Sequence, residues 1–363
     1  MKHVFSGALA LSCACIASSA LAQTAVTAYG LLDSGLVYTT NANAAGDAIT
    51  KMPSLTGTFP SRLGFRGTED LGGGLTAFFV LENGLGLDTG ITGQGGRLFG
   101  RQAWVGLAGN WGQVTIGRNY NMLYQSTFDV DIFGPSTYGL GALDPFVPNG
   151  RSDNSVAYKG SLNGVTVGAT YSLGRDTSAA GGASGTNCAG ESATDSSACR
   201  EWSAMLRYDQ PSWAIVGAYD RIYGGSGAAA GLISSALSDS SAHLAGFYKL
   251  GDWKVGGGAI VRNNEGSAST PRSKLFYLAA AYKLTPAITL DGQVGRLDYQ
   301  DSANGANQVL VRAVYEFTKR TSTYVGLGRI NNEGAAAVAL SSGGSVGTGM
   351  GQTGVIAGIR HAF

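Results

Sequence analysis

The sequence predicts an all-β protein, a 16-stranded antiparallel β-barrel that spans a membrane, and three observations lead there. Charged residues make up 13% of the 363 positions and glycine alone supplies 57, where about 25% charge is usual for a soluble domain. After residue 22 no stretch approaches the ~20 apolar residues that a membrane helix needs, and the density of Gly, Thr, Val and Tyr disfavours helices of any kind. From residue 25 onward, apolar and polar positions alternate, with very short turns on one side and long polar loops on the other. Low charge without an apolar helix leaves a closed barrel as the structure that satisfies every backbone group in lipid.

Residues 1–22 stand apart. Met1-Lys2-His3 precedes an apolar run from Val4 to Ala17, and Ser19-Ala20-Leu21-Ala22 follows it. A basic start, an apolar centre and an A-x-A site read as a cleaved export signal, so residues 23–363 form the expected barrel domain with Gln23 first. The apolar run is too short for a membrane anchor. Losing Lys2 takes the basic residues from 25 to 24, against 24 acids. That balance gives no reason to expect nucleic acid or anionic lipid as a partner.

In chain order, the expected strands cover residues 26–39, 61–70, 75–88, 97–106, 112–118, 154–160, 165–173 and 201–210. The second half adds 213–223, 241–250, 253–263, 274–284, 288–299, 308–317, 321–330 and 354–363. In the first strand Val26, Ala28, Gly30 and Leu32 share a small apolar face. In "SRLGFRG" the outward pair is Leu63 and Phe65, which sends Arg62 and Arg66 inward; "EDLGGGL", Glu69 to Leu75, then reads as a turn. "RLFGRQAWVG" puts Leu98 and Trp104 outward, so Arg97 and Arg101 share the inner face. The clearest hairpin, Trp202 to Asp220, sets Trp202, Ala204, Leu206, Tyr208, Trp213, Ile215 and Tyr219 on one face. Ser203, Met205, Arg207 and Asp209 lie on the other. The same unit recurs from His243 to Arg262 and from Gln308 to Phe317.

Alternation alone would suit a soluble β-sandwich equally well. The aromatic residues decide, because Tyr208 and Trp213, Tyr248 and Trp253, and Tyr282 and Phe317 all fall beside tight turns on the apolar face. Rings at one level mark the headgroup region of a bilayer. The final strand, Val355 to Phe363, alternates up to its aromatic end and is expected to pair with the first, since a closed barrel has no edge. Cys13 and Cys15 lie in the leader, and Cys188 and Cys199 bracket "CAGESATDSSAC". An exported chain meets an oxidising compartment, so a Cys188–Cys199 disulfide is expected, with no metal, because no histidine lies nearby.

The runs "VTAYGLLDSGL", "SRLGFRGTEDLGGGLTAFFVLENGL", "GRLFGRQAWVGLAGNWGQVTIGR", "NSVAYKG" and "GIRHAF" resemble the general porins of β-proteobacteria, the Neisseria and Burkholderia type. The resemblance spans nearly the whole chain and is weakest from about residue 174 to 240 and from 331 to 353. It implies a trimeric outer-membrane barrel whose third external loop folds into the pore and constricts it. It also implies that the terminal Phe363 is the signal read by the outer-membrane assembly machinery. The loop in question is the long interval from Asn119 to Asp153, which carries Asp129, Asp131 and Asp144. A loop of that length in a compact fold usually has a job.

Arg62, Arg66, Arg97, Arg101 and Arg118 surround that loop, and Arg151 ends it. A basic wall facing an acidic loop would set a transverse field across the narrowest section and so govern which ions pass. Ordinary lining of a wet lumen is the plainer account of the same charges. His243 is the one histidine placed where catalysis could use it, but no acid or amide with a recognisable spacing orients it. The expected function is therefore passive diffusion of ions and small hydrophilic solutes, with a weak lean to anions, no cofactor and no covalent step. The alternatives are a barrel hydrolase or an adhesin. A homotrimer is expected to form through the small faces of the first and last strands, where walls can approach closely.

Overall fold

The computed structural model describes residues 25–144, 150–178 and 185–363; the expected export signal lies outside them. Its strands begin with β1 (Ala25–Thr39), β2 (Ile49–Lys51), β3 (Arg62–Gly72), β4 (Leu75–Gly86), β5 (Ile91–Thr92) and β6 (Gln102–Gly109). They continue with β7 (Gly112–Tyr120), β8 (Arg151–Leu162), β9 (Val165–Ser172), β10 (Glu201–Asp209), β11 (Trp213–Tyr223) and β12 (Ser238–Leu250). The last are β13 (Trp253–Asn264), β14 (Arg272–Thr285), β15 (Ile288–Tyr299), β16 (Gly305–Glu316), β17 (Thr321–Glu333) and β18 (Gln352–Ala362). Apart from the short β2 and β5, these are the sixteen expected strands. Among the described residues helix is confined to single turns, α1 (Gly93–Gly96), α2 (Met122–Gln125) and α3 (Leu140–Leu143).

Closure runs through β1. Its first half pairs antiparallel with β3, from Ala25 opposite Thr68 to Leu31 opposite Arg62. Its second half pairs with β18, from Leu31 opposite Ala362 to Thr39 opposite Gly354. The Gly30 and Phe363 backbones exchange two hydrogen bonds of 3.0 Å, so the last residue is tied into the wall. Every long strand pairs antiparallel with its neighbour on each side, and no edge is left for another chain to extend.

The outer face is built from the alternation. Leu206, Leu244 and Leu278 stand at least 60% exposed, while Met205, Ala245 and Ala279 beside them are buried. Leaving such side chains in water forfeits about 1.5–3 kcal/mol each, which lipid restores. At the tight-turn end Tyr208 and Trp213 meet at 5.5 Å, Trp253 stacks on Tyr282 at 4.5 Å, and Tyr315 meets Phe317 at 5.0 Å. This is the expected aromatic level.

Two placements differ from expectation. Residues 97–101 are not strand, because Gln94, Gly95 and Gly96 adopt positive φ and β6 begins only at Gln102. Parity counted from Leu98 therefore fails to carry across to Trp104. In β6 the exposed positions are Val105 and Leu107, and Trp104 turns inward, its indole N–H donating to Gln102 Oε1 at 3.1 Å.

The inner face holds a second surprise. Ile260, Leu275, Leu310, Ile330 and Ile356 are buried and point away from lipid. Against them pack Met122, Val130, Phe133, Tyr138, Leu140 and Leu143 of the segment that joins β7 to β8. Polar contacts fix the same segment. Met122 N–H donates to Ser203 Oγ of β10 at 2.9 Å, and Arg312 of β16 donates to the Phe133 carbonyl at 2.8 Å. The segment 52–61 joins it, where Thr137 N–H donates to the Thr56 carbonyl and Arg312 to that of Gly57. The expected disulfide is present, Cys188 to Cys199, packed against Ile222, Ala228 and Leu232.

Candidate channel constriction

Strand parity brings the first cluster together. On β3, Arg62, Gly64 and Arg66 face inward while Leu63 and Phe65 stand exposed. Gly64 is required there, since a Cβ would lie 2.5 Å from the ring of Tyr29 on β1. With that ring in place, Tyr29 donates to Glu82 Oε2 of β4 at 2.9 Å. Glu82 is 4% exposed and collects further donors. Arg101 Nε reaches its Oε1 at 2.7 Å, Tyr120 its Oε1 at 3.3 Å, and Arg62 Nε lies 3.7 Å from Oε2. Arg101 also donates to the Tyr120 hydroxyl at 2.9 Å. A buried carboxylate persists as an anion when it is paired and fully hydrogen-bonded, as here.

Two more arginines lie on aromatic faces. The Arg66 guanidinium stands 5.4 Å from the ring centre of Tyr29. Arg151 stands 5.2 Å from that of Tyr120 and 5.7 Å from that of Tyr124. Such stacking stabilises the cation through the ring quadrupole and holds the planar group in one orientation. A cavity of about 680 Å³ opens beside Arg101, Arg151 and Tyr124, with Pro135, Ser136 and Leu143 of the β7–β8 segment across from them.

Arg97 and Arg118 belong elsewhere. Arg97 lies 3.3 Å from Asp153 and forms a second ion pair with Asp176. Arg118 pairs with Asp153 and donates to the Gly100 carbonyl at 2.8 Å. The register of β7 against β8 shifts after Gly117, whose φ of 137° only glycine adopts readily. That shift carries Arg118 toward the 97–101 segment.

Two of the three loop acids, Asp129 and Asp144, meet cations of the other half of the wall. Asp129 accepts from Arg207 of β10 at 2.7 Å. Asp131 is half-buried and accepts from Gly134 N–H at 3.1 Å. Burial pushes its carboxyl up to about 6, against the pull of that amide and of the charges on Arg312 and Lys254. Asp144 lies 3.8 Å from Arg262 of β13, which also holds Asp239. His243 is buried between Ser126 Oγ, 2.7 Å from Nδ1, and the Tyr277 hydroxyl, 2.9 Å from Nε2. Neither of these partners is a carboxylate, so the arrangement joins the β7–β8 segment to the wall.

Sequence reasoning missed Glu82, Tyr29, Tyr120 and Tyr124. Glu82 could have been found, because it lies opposite Gly64 and so shares inward parity with Arg62 and Arg66. Tyr29 lies at an inward position of the first strand. Tyr124 carried no such signal, since it sits on α2 beyond the strand pattern.

A closed strand wall, apolar outside and lined inside by paired charges beside an open cavity, defines a membrane β-barrel channel. The chain belongs to the Gram-negative porin family, whose profile matches residues 8–335, and it is a passive diffusion channel of the outer membrane. It is 30% identical to outer membrane porin protein 32 of Delftia acidovorans, over 98% of this chain and 99% of that one. It is 27% identical to the major outer membrane protein P.IB of Neisseria lactamica, over 98% of each. Among solved structures, the anion-selective porin from Comamonas acidovorans superimposes with a TM-score of 0.74 at 26% identity, over 94% of this chain and 100% of that chain.

Proposed function

We propose that this porin passes small anions in preference to cations, and that the β7–β8 segment folds inside the barrel to set the narrowest section. The carrying observation is an imbalance: Arg62, Arg66 and Arg101 share one inner region, and among the described residues Glu82 is the acid that pairs with them. The segment's apolar side chains seat against the apolar inner wall of β13–β18, which pushes the aqueous path toward the arginines. Asp129 and Asp144 meet Arg207 and Arg262 on the far wall and offset little of that charge. In a narrow section with low-dielectric walls such a surplus attracts anions and repels cations. The likeness to a porin described as anion-selective points the same way. Arg97 and Arg118, each held by Asp153, contribute to the fold of the wall's upper edge.

The test is the reversal potential across a bilayer in a KCl gradient. A unit charge about 8 Å from a passing ion in water-like surroundings is worth about 0.5 kcal/mol, attracting chloride and repelling potassium by that amount, so it moves their ratio by about 1 kcal/mol, or roughly five-fold. Arg62→Ala is therefore expected to lower the chloride-to-potassium permeability ratio about five-fold, and Arg97→Ala to leave it near the wild-type value. Equal ratios in wild type and Arg62→Ala would remove the assignment.

We propose further that three copies associate through the outer face that carries Ala28 and Leu32 of β1 and Ala357 of β18, where close approach is possible. Crosslinking in native membranes is expected to yield trimers, and monomers alone would contradict this. Residues 1–22 are proposed to be the export signal, which the mass of the mature N-terminus checks.

A further inference from the structure

The inward turn of Trp104 creates a pocket that the constriction does not use. We infer that the channel carries a subsite for small aromatic carboxylates, set between the β7–β8 segment and the tight-turn end of β6, β7 and β8. The inference rests on the reading of the barrel as an open channel and names a solute class for it. The pocket has a volume of about 170 Å³, room for about five or six waters at their liquid volume, and so suits one ring bearing a small group.

Its walls are aromatic. Trp104 is braced by Phe78, edge to face at 5.3 Å, and Phe128 stands 44% exposed with its ring 6.1 Å from that of Tyr120. A ring entering between Trp104 and Phe128 gains edge and face contacts on both sides. Its polar end is cationic. Lys159 projects inward beside Gln113 on the neighbouring strand, and its ammonium reaches Gln125 Oε1 at 3.4 Å. Among the described residues Lys159 has no carboxylate within ion-pair distance, unlike Arg62 and Arg101. A half-buried ammonium without a counter-ion favours an incoming anion. Trp104 N–H donates to Gln102 Oε1 at 3.1 Å, which orients that amide and leaves its NH₂ group to donate to a carboxylate. Tyr120 links the two regions, since its hydroxyl belongs to the Arg101–Glu82 network while its ring borders the pocket.

A channel subsite must release what it holds, so binding is expected in the millimolar range. The experiment uses the full mature porin in planar bilayers, with sodium benzoate added to KCl. Wild type is expected to show a saturable fall in current with benzoate and a much weaker response to acetate. Trp104→Ala should raise the half-saturating benzoate concentration about five-fold, the worth of a lost aromatic contact. Lys159→Gln should weaken benzoate and leave the response to uncharged benzyl alcohol as in wild type. A KCl current that persists in both variants separates loss of the subsite from failed assembly. A linear, non-saturating benzoate response in wild type, or a Trp104→Ala variant that saturates as wild type does, overturns the subsite. A wild-type protein with no KCl current at all overturns the channel reading beneath it.

Discussion

Asp131 is the loop acid whose ionisation its surroundings oppose. Its carboxyl, ordinarily near 3.9, is raised to about 6 by burial. A raised acid gives the native state more bound protons than the unfolded state between those values, so stability falls as pH rises through that window. The cost is absent below about 4 and complete above about 6. Acidifying from pH 7.5 to 5 thus protonates Asp131, relieves that cost and removes one negative charge near Arg312. Chloride preference is expected to rise over that interval in wild type and to rise less in Asp131→Asn, measured as reversal potentials at both pH values. Equal rises in the two proteins would assign the change to another group. Within β3 the outward parity of Leu63 and Phe65 was legible, because parity holds inside a strand. Trp104 was misread for the complementary reason: three positive-φ residues before it end one parity and let another begin.

The β9–β10 connection carries the disulfide, which spans a sequence separation of 11 and closes on Ile222 and Leu232. Closing a loop of that size removes about 3 kcal/mol worth of unfolded-state entropy. Replacing both cysteines by serine is expected to speed protease cleavage between residues 185 and 200 while the barrel's melting temperature stays at the wild-type value. Equal cleavage rates would mean that the bridge holds nothing the surrounding hydrogen bonds do not. The pair itself was readable from two cysteines beyond residue 22 in a chain expected to be exported. The β7–β8 segment was readable only as a long loop with acids. Its apolar partners, Ile260, Leu275, Leu310, Ile330 and Ile356, sit on strands more than 100 residues later. A lumen assumed to be polar throughout hides them, and nothing local in either stretch announces the contact.

Closure of the barrel followed from alternation, girdle aromatics and the pairing of first with last strand, all of which depend on lipid outside and water within. In the constriction proposed here the side left to water follows from packing: a segment seated on the apolar half of the inner wall would leave the arginine-bearing half to the passing solute. Membrane insertion and passage are thus two consequences of one arrangement, in which alternate residues serve different solvents. Conductance across a planar bilayer tests this most directly. The mature protein is expected to insert in discrete steps of open current that scale with KCl concentration, as water-filled pores do. A bilayer that stays silent after folded protein has inserted would contradict the account.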